Sequence, residues 1–242
     1  MNNETLLILS LLITYSTVLI LFKLLQEQGL YLWTIIATIA ANIEVLIVIH
    51  AFGMEMTLGN ILFASTFLVI DIASETCGKQ IAQKTVALGI VTSILFVAVT
   101  QSWLLYQPAD SDWAAPAIRQ IFSNTPRMML TSLLVYAFVQ ALDVWLYHAW
   151  WDYTKKHFGN SSRFLWLRNN GSTLISQFVN AVLFTCGAFW GMYDTQTLVS
   201  IAASSYMIFI ITSLADTPFV YAARKIANNH HIGIHTPKAS YQ

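Results

Sequence analysis

The chain has 242 residues, with Lys+Arg 12 against Asp+Glu 12, so its formal charge is zero. Only 10% of residues are charged, 56% are hydrophobic, and the mean hydropathy is +0.59. A soluble domain carries roughly 25% charged residues, so this composition excludes a soluble enzyme, a disordered chain and a nucleic-acid binder with a basic face. The class it predicts is an all-α polytopic membrane protein in a cell (inner) membrane, with the lipid bilayer as its solvent.

The chain opens MNNET, with an acid and no Lys or Arg, and no small-x-small cleavage site follows. The segment Thr5 to Leu25 therefore reads as a retained helix rather than a signal peptide. A bilayer core needs about 20 apolar residues in a helix, and seven segments qualify: 5–25, 32–53, 58–77, 83–106, 128–151, 171–192 and 197–223. The third is interrupted by Asp71 and Glu75. No alternating strand pattern supports a β-barrel.

Lys and Arg collect on the cytoplasmic side. With the N-terminus outside, Lys23, Lys79, Lys84, Lys155, Lys156, Arg163, Arg168, Arg224, Lys225 and Lys238 fall inside. Arg119 and Arg127 stay outside with Glu4, Glu55, Asp110, Asp112 and Asp194. The outer loop Gln107–Pro126 reads as a surface loop, and the inner loop Asp152–Asn170 as a basic, Trp-flanked topology signal. Cys77 and Cys186 read as buried small hydrophobes. Gly187 and Gly191 form a GxxxG pair suited to close helix packing. The end of the chain, with His230, His231 and His235, reads as a solvated tail. The predicted organisation is residues 1–28 as an additional N-terminal helix, 29–226 as a six-helix core, and 227–242 as a polar tail inside.

Ionisable residues inside a bilayer point to function, because a charge there costs at least a few kcal/mol. Asn42 and Glu44 interrupt the second segment. Asp71 and Glu75 stand four apart on one helix face, and Gln140 and Asp143 stand three apart. Thr173, Gln177 and Asn180 form a stripe at i, i+4, i+7, and Asp216 precedes Pro218. No Lys or Arg lies deep in any predicted span. The carboxylates are therefore expected to lack an internal cation, which favours a donor-rich, cationic or protonic ligand over an anion. No HExxH, GxSxG or Gly-rich phosphate loop occurs, so neither hydrolysis nor ATP use is encoded. No cofactor or metal is implied.

The stretch LGNILFASTFLVIDIASETCGKQIAQKTVALG (58–89) resembles the signature of the queuosine precursor transporter family, once grouped as vitamin-uptake-transporter-like. Asp71, Glu75, Gly78 and Lys79 carry its core. ANIEVLIVIHAFGMEMTLGN upstream is similar too, as are Pro126, Arg127 and Ser132 leading to Gln140 and Asp143. WLRNNGST (166–173), Gln177, Phe184, AFWG (188–191), Tyr206 and DTPFVY (216–221) complete it. The resemblance covers roughly residues 38–225. Cys77 replaces an aromatic and Gln80 a Lys. Family members commonly carry Asp at position 180 and Lys at 209, where this chain has Asn180 and Phe209. Losing both together would remove a buried ion pair without orphaning a charge.

The resemblance implies import of a 7-deazapurine (preQ0, preQ1, queuine or queuosine) by alternating access, and no enzyme activity. The implied substrate-binding residues are Asp71, Glu75, Gln140, Asp143, Gln177, Asn180 and Asp216, with Phe184 and Trp190 for the ring. A carboxylate matches the N1–H and 2-amino donors of a deazaguanine edge, and an amide would serve O6. A small substrate-binding subunit of an energy-coupling-factor importer is the alternative. An intramembrane enzyme using Asp71 and Glu75 as an acid pair is disfavoured. No nucleic-acid partner is expected, and a homodimer stays open.

Overall fold

The computed structural model describes residues 2–123, 126–158 and 164–230. Arg163, His231, His235 and Lys238 lie outside the described residues, as does most of the predicted tail. The first helices are α1 (Asn3–Leu25) and α2 (Glu27–Glu44), followed by a hairpin of β1 (Val48–Ala51) and β2 (Met54–Thr57). Then come α3 (Asn60–Thr76), α4 (Lys79–Trp103), α5 (Ala115–Ser123), α6 (Pro126–Phe158), α7 (Leu165–Phe189) and α8 (Thr195–His230).

Six helices, α1, α2, α4, α6, α7 and α8, form a ring in which each touches the next and α8 closes on α1. The helix α3 stands inside it and touches all six. Thirteen of its 17 residues are buried. This position suits a helix that carries Asp71 and Glu75: its polar side chains meet protein rather than lipid. The main core cluster joins α1 (Tyr15, Val18, Phe22) to α3 (Leu68, Val69, Ile72) and α8 (Val220, Ala223).

Tight turns set the ring. Gln26 (φ 54) breaks the chain between α1 and α2, and a side chain at Gly29 would strike the Leu21 backbone. Gly78 (φ 91) turns α3 into α4, a conformation glycine adopts without strain.

Among the described residues, five helices are long and apolar enough to cross a membrane: α1, α4, Leu130–Phe158 of α6, α7, and Thr195–Asn229 of α8. The predicted span 32–53 requires correction. Its helix stops at Glu44, and Val48 to Thr57 pair as an antiparallel hairpin. The run Val45–Ile49, four of its five residues β-branched, favours strand, and Phe52 (φ 52) with Gly53 (φ 75) makes the two-residue turn. The inner loop also proves shorter than predicted, because α6 runs to Phe158 and α7 starts at Leu165. The outer loop contains α5, whose buried Phe122 packs against Phe96 and Trp103. Of the GxxxG pair, Gly187 meets Thr131 of α6, whereas Gly191 (φ 82) ends α7 in a turn.

Candidate functional site

A cavity of about 460 Å³ occupies the half of the bundle capped by the hairpin, and reaches the surface at Val48 and Tyr193. Small-molecule sites span about 300–1,000 Å³. Aromatic side chains wall it: Phe63 from α3, Tyr136 from α6, Phe184 and Phe189 from α7, Phe209 from α8. The ring of Phe63 lies 5.9 Å from Phe209 and 6.2 Å from Tyr136. Thr66 and Asn180 bring polar atoms to the same space, with Asn42, Ser132 and Ser204.

The predicted residues separate into layers. Asn180 and Phe184 line the cavity. Gln140 lies one bond behind it: fully buried, it donates from Nε2 to Thr66 Oγ1 at 2.6 Å. Gln177 sits behind Asn180, whose Nδ2 reaches its Oε1 at a long 3.5 Å.

Deeper still lie Asp71, Asp143 and Asp216, at most 1% exposed. Each is met by a neutral donor on α7. Thr173 Oγ1 donates to Asp71 Oδ2 at 3.0 Å, Ser176 Oγ to Asp143 Oδ1 at 2.7 Å, and Asn169 Nδ2 to Asp216 Oδ1 at 2.7 Å. Pro218 cannot donate a backbone N–H, and beside it Asn170 Nδ2 donates to Thr217 Oγ1 at 2.8 Å. Asp71 Oδ1, Asp143 Oδ2, Gln140 Oε1 and Asn169 Oδ1 are buried acceptors with no partner.

Glu75 departs from expectation. Its carboxylate is held 2.7 Å from Arg168 Nη2 and 3.5 Å from Arg224 Nε, and accepts from Tyr147 Oη at 2.6 Å. The expectation of no internal cation fails here because Arg168 belongs to α7 rather than to a loop. It is fully buried, with its guanidinium 4.2 Å from the Trp151 ring centroid. This cluster closes the bundle at the end remote from the hairpin. Trp190 is set apart from the cavity. It caps α7, is 65% exposed, and its carbonyl accepts from Arg127 at 2.8 Å.

The sequence reading missed Arg168, Asn169, Ser176, Thr66, Tyr136 and Tyr147. Extending the α7 stripe one turn back from Thr173 reaches Asn169, and one turn on from Asp143 reaches Tyr147. That signal was present in the spacing.

A ring of apolar helices around a central helix that carries buried carboxyls, with an aromatic cavity at one end and an ion-pair cluster at the other, defines a multi-pass membrane transporter. The chain belongs to the family described as "Putative vitamin uptake transporter", which matches residues 57–223. It is 37% identical over 229 residues to the "Probable queuosine precursor transporter" of Bacillus subtilis (strain 168), covering 95% of this chain and 98% of that protein. No solved structure matches. The protein is therefore a transporter of the multi-pass membrane class, and not an enzyme.

Proposed function

We propose that the protein imports a queuosine precursor, a 7-deazapurine base, by alternating access. The observation that carries this reading is an aromatic-walled cavity whose lining helices α3, α6 and α7 also carry buried acceptors that lack donors. A flat heterocycle fits between Phe63, Phe184 and Phe209 by ring stacking. Its O6 accepts from the Asn180 amide. Its N1–H and 2-amino group are donors suited to Asp71 Oδ1, which lies on the helix that already presents Thr66 to the cavity. Leaving such an acceptor unmet costs about 1–3 kcal/mol, so a ligand that satisfies it gains selectivity over one lacking those donors.

We further propose an N-out, C-in orientation. The hairpin end then faces outside, and the cavity is open to incoming substrate. The Glu75–Arg168–Tyr147 cluster is the closed inner end. The N-terminal helix of residues 1–28 packs into the same bundle as the helices of 29–226, and the chain beyond α8 lies on the cytoplasmic side. A single chain encloses the cavity, so the reading needs no second copy.

The test is uptake in cells unable to make queuosine, read as queuosine in tRNA. Expression is expected to restore it when preQ0, preQ1 or queuine is supplied, and Asn180→Ala to reduce it at unchanged membrane abundance. Failure with every precursor overturns the reading. Transport by the purified protein alone in vesicles separates it from a subunit of an energy-coupling-factor importer.

A further inference from the structure

Beneath the cavity, one face of α7 gathers carboxylates from three other helices. Asn169, Thr173 and Ser176 follow the spacing i, i+4, i+7, so they share that face. They hold Asp216 of α8, Asp71 of α3 and Asp143 of α6 respectively. All six side chains are at most 1% exposed. The layer is short of donors. Besides the free oxygens of Asp71 and Asp143, the amide oxygens of Asn169 and Gln140 are buried and unmet. The unmet oxygens of Asp71, Asp143, Asn169 and Gln140 are all acceptors, so they call for something positive.

Ser176 shows what that is. Its single hydroxyl hydrogen has three acceptors in reach: Asp143 Oδ1 at 2.7 Å, the Ser172 carbonyl at 2.9 Å and the Thr173 carbonyl at 3.1 Å. With Asp143 ionised, Ser176 donates to the carboxylate. With a proton on Asp143 Oδ1, the carboxyl donates to Ser176 Oγ and the Ser176 hydrogen turns to the Ser172 carbonyl. Both states keep the Oδ1–Oγ bond, and no heavy atom moves. Among the described residues, no group of three His, Cys, Asp or Glu side chains is placed to hold a metal ion. A proton needs one oxygen only.

We propose that the Asp143–Ser176 pair is the site of a coupling proton and that the base is imported by proton symport. The proposal rests on the import reading above, which leaves Asp143 free of the substrate. A proton entering from the cavity side binds Asp143 Oδ1, crosses with the base, and leaves at the opposite face, returning the Ser176 hydrogen to the carboxylate. The link to substrate is α7 itself. Asn180, which lines the cavity, stands one turn beyond Ser176 on the same rigid helix. The ionisable groups around the pair are Asp71 and Glu75 from α3, Asp216 and Arg224 from α8, Arg168 from α7, Tyr147 from α6 and Tyr15 from α1. The carboxyl groups nearest the pair are those of Asp71 and Asp216.

The test uses the full chain in proteoliposomes with labelled preQ0, which is uncharged and so carries no current of its own. Two readouts are taken: accumulation driven by a pH gradient at clamped voltage, and exchange against unlabelled preQ0 at equal pH. Wild type is expected to accumulate preQ0 about tenfold per pH unit, the ratio set by one proton per base. An entrapped dye should report acidification of the lumen on preQ0 addition, a measurement that needs no variant. Asp143→Asn is expected to lose accumulation while keeping exchange, and Ser176→Ala to shift the pH dependence of accumulation. Asn180→Ala should lose both readouts. Wild-type exchange without response to the pH gradient, accumulation that follows a sodium gradient instead, or loss of exchange in Asp143→Asn at normal abundance each overturns the proton site and leaves the import reading standing. Absence of any wild-type exchange with preQ0, preQ1 or queuine overturns both.

Discussion

Arg168 Nη2 lies 2.7 Å from Glu75 Oε2, and the two side chains are 0% and 3% exposed. An ion pair so deep in a membrane bundle makes each partner depend on the other. Removing Glu75 takes the carboxylate away from the buried Arg168 guanidinium, which costs about 3–5 kcal/mol. Glu75→Gln is therefore expected to lower stability by that amount in detergent unfolding. Glu75→Gln combined with Arg168→Met should recover much of it. A single variant as stable as wild type would show that the pair does not hold this end of the bundle closed.

Much of the bundle was legible before the structure. Long apolar runs fix helices whatever surrounds them, and α1 begins and ends within two residues of its predicted span. The errors have local causes. Asp152–Asn170 looked like a loop because polar and aromatic residues crowd it, yet Asp152–Phe158 continues α6 and Leu165–Asn170 opens α7. That misplacement hid Arg168, and with it the partner of Glu75. The hairpin was hidden because Phe52 rather than Asn precedes Gly53, so the usual two-residue turn signal was weak. The candidate residues were found as a set because each breaks an apolar run. Their layering was not readable, since which residue lines the cavity and which lies below depends on how α3, α6 and α7 are rotated against one another.

Gly89 gives a packing prediction. A Cβ built there meets the Tyr136 hydroxyl at an impossible distance, so α4 and α6 approach through the missing side chain. Gly89→Ala is expected to destabilise by about 1–3 kcal/mol through overpacking. It should also lower uptake, because Tyr136 lines the cavity. Adding Tyr136→Phe removes the colliding oxygen and should return part of the stability, as measured by unfolding of both purified variants. Wild-type stability of Gly89→Ala would mean that the two helices have room to part.

Asp194 gives a pH prediction outside the membrane. Its carboxylate accepts from the Thr197 hydroxyl at 2.5 Å and from the Gln196 and Thr197 N–H groups at 3.0 and 3.2 Å, capping α8. The Thr197 hydroxyl, with these backbone N–H groups, holds its pKa below the ordinary 3.8. A lowered folded pKa means the contribution is present above the unfolded value and is lost as pH falls through the folded one. Asp194→Ala should therefore unfold at lower temperature than wild type at about pH 7, with the difference shrinking by about pH 3. A deficit of equal size at both pH values would assign it to something other than the ionised cap.

Asn180 and Phe209 line the same cavity from α7 and α8. The resemblance implies Asp and Lys at these positions, and both line one shared space here. Phe209 is 4% exposed and packs on Phe63, so the apolar substitute fills the volume a Lys stem would take. Phe209→Lys alone places an ammonium among aromatic rings with only an amide opposite. It is expected to reduce uptake at least tenfold, about 1.4 kcal/mol. Asn180→Asp alone adds a second anion above Asp71 and should favour the cationic preQ1 over neutral preQ0. The double variant restores opposite charges and should recover uptake relative to Phe209→Lys, because a paired charge no longer needs the substrate to neutralise it. Competition between preQ0 and preQ1 in vesicles reads all three variants. Equal effects of Phe209→Lys with and without Asn180→Asp would show that the two positions do not couple.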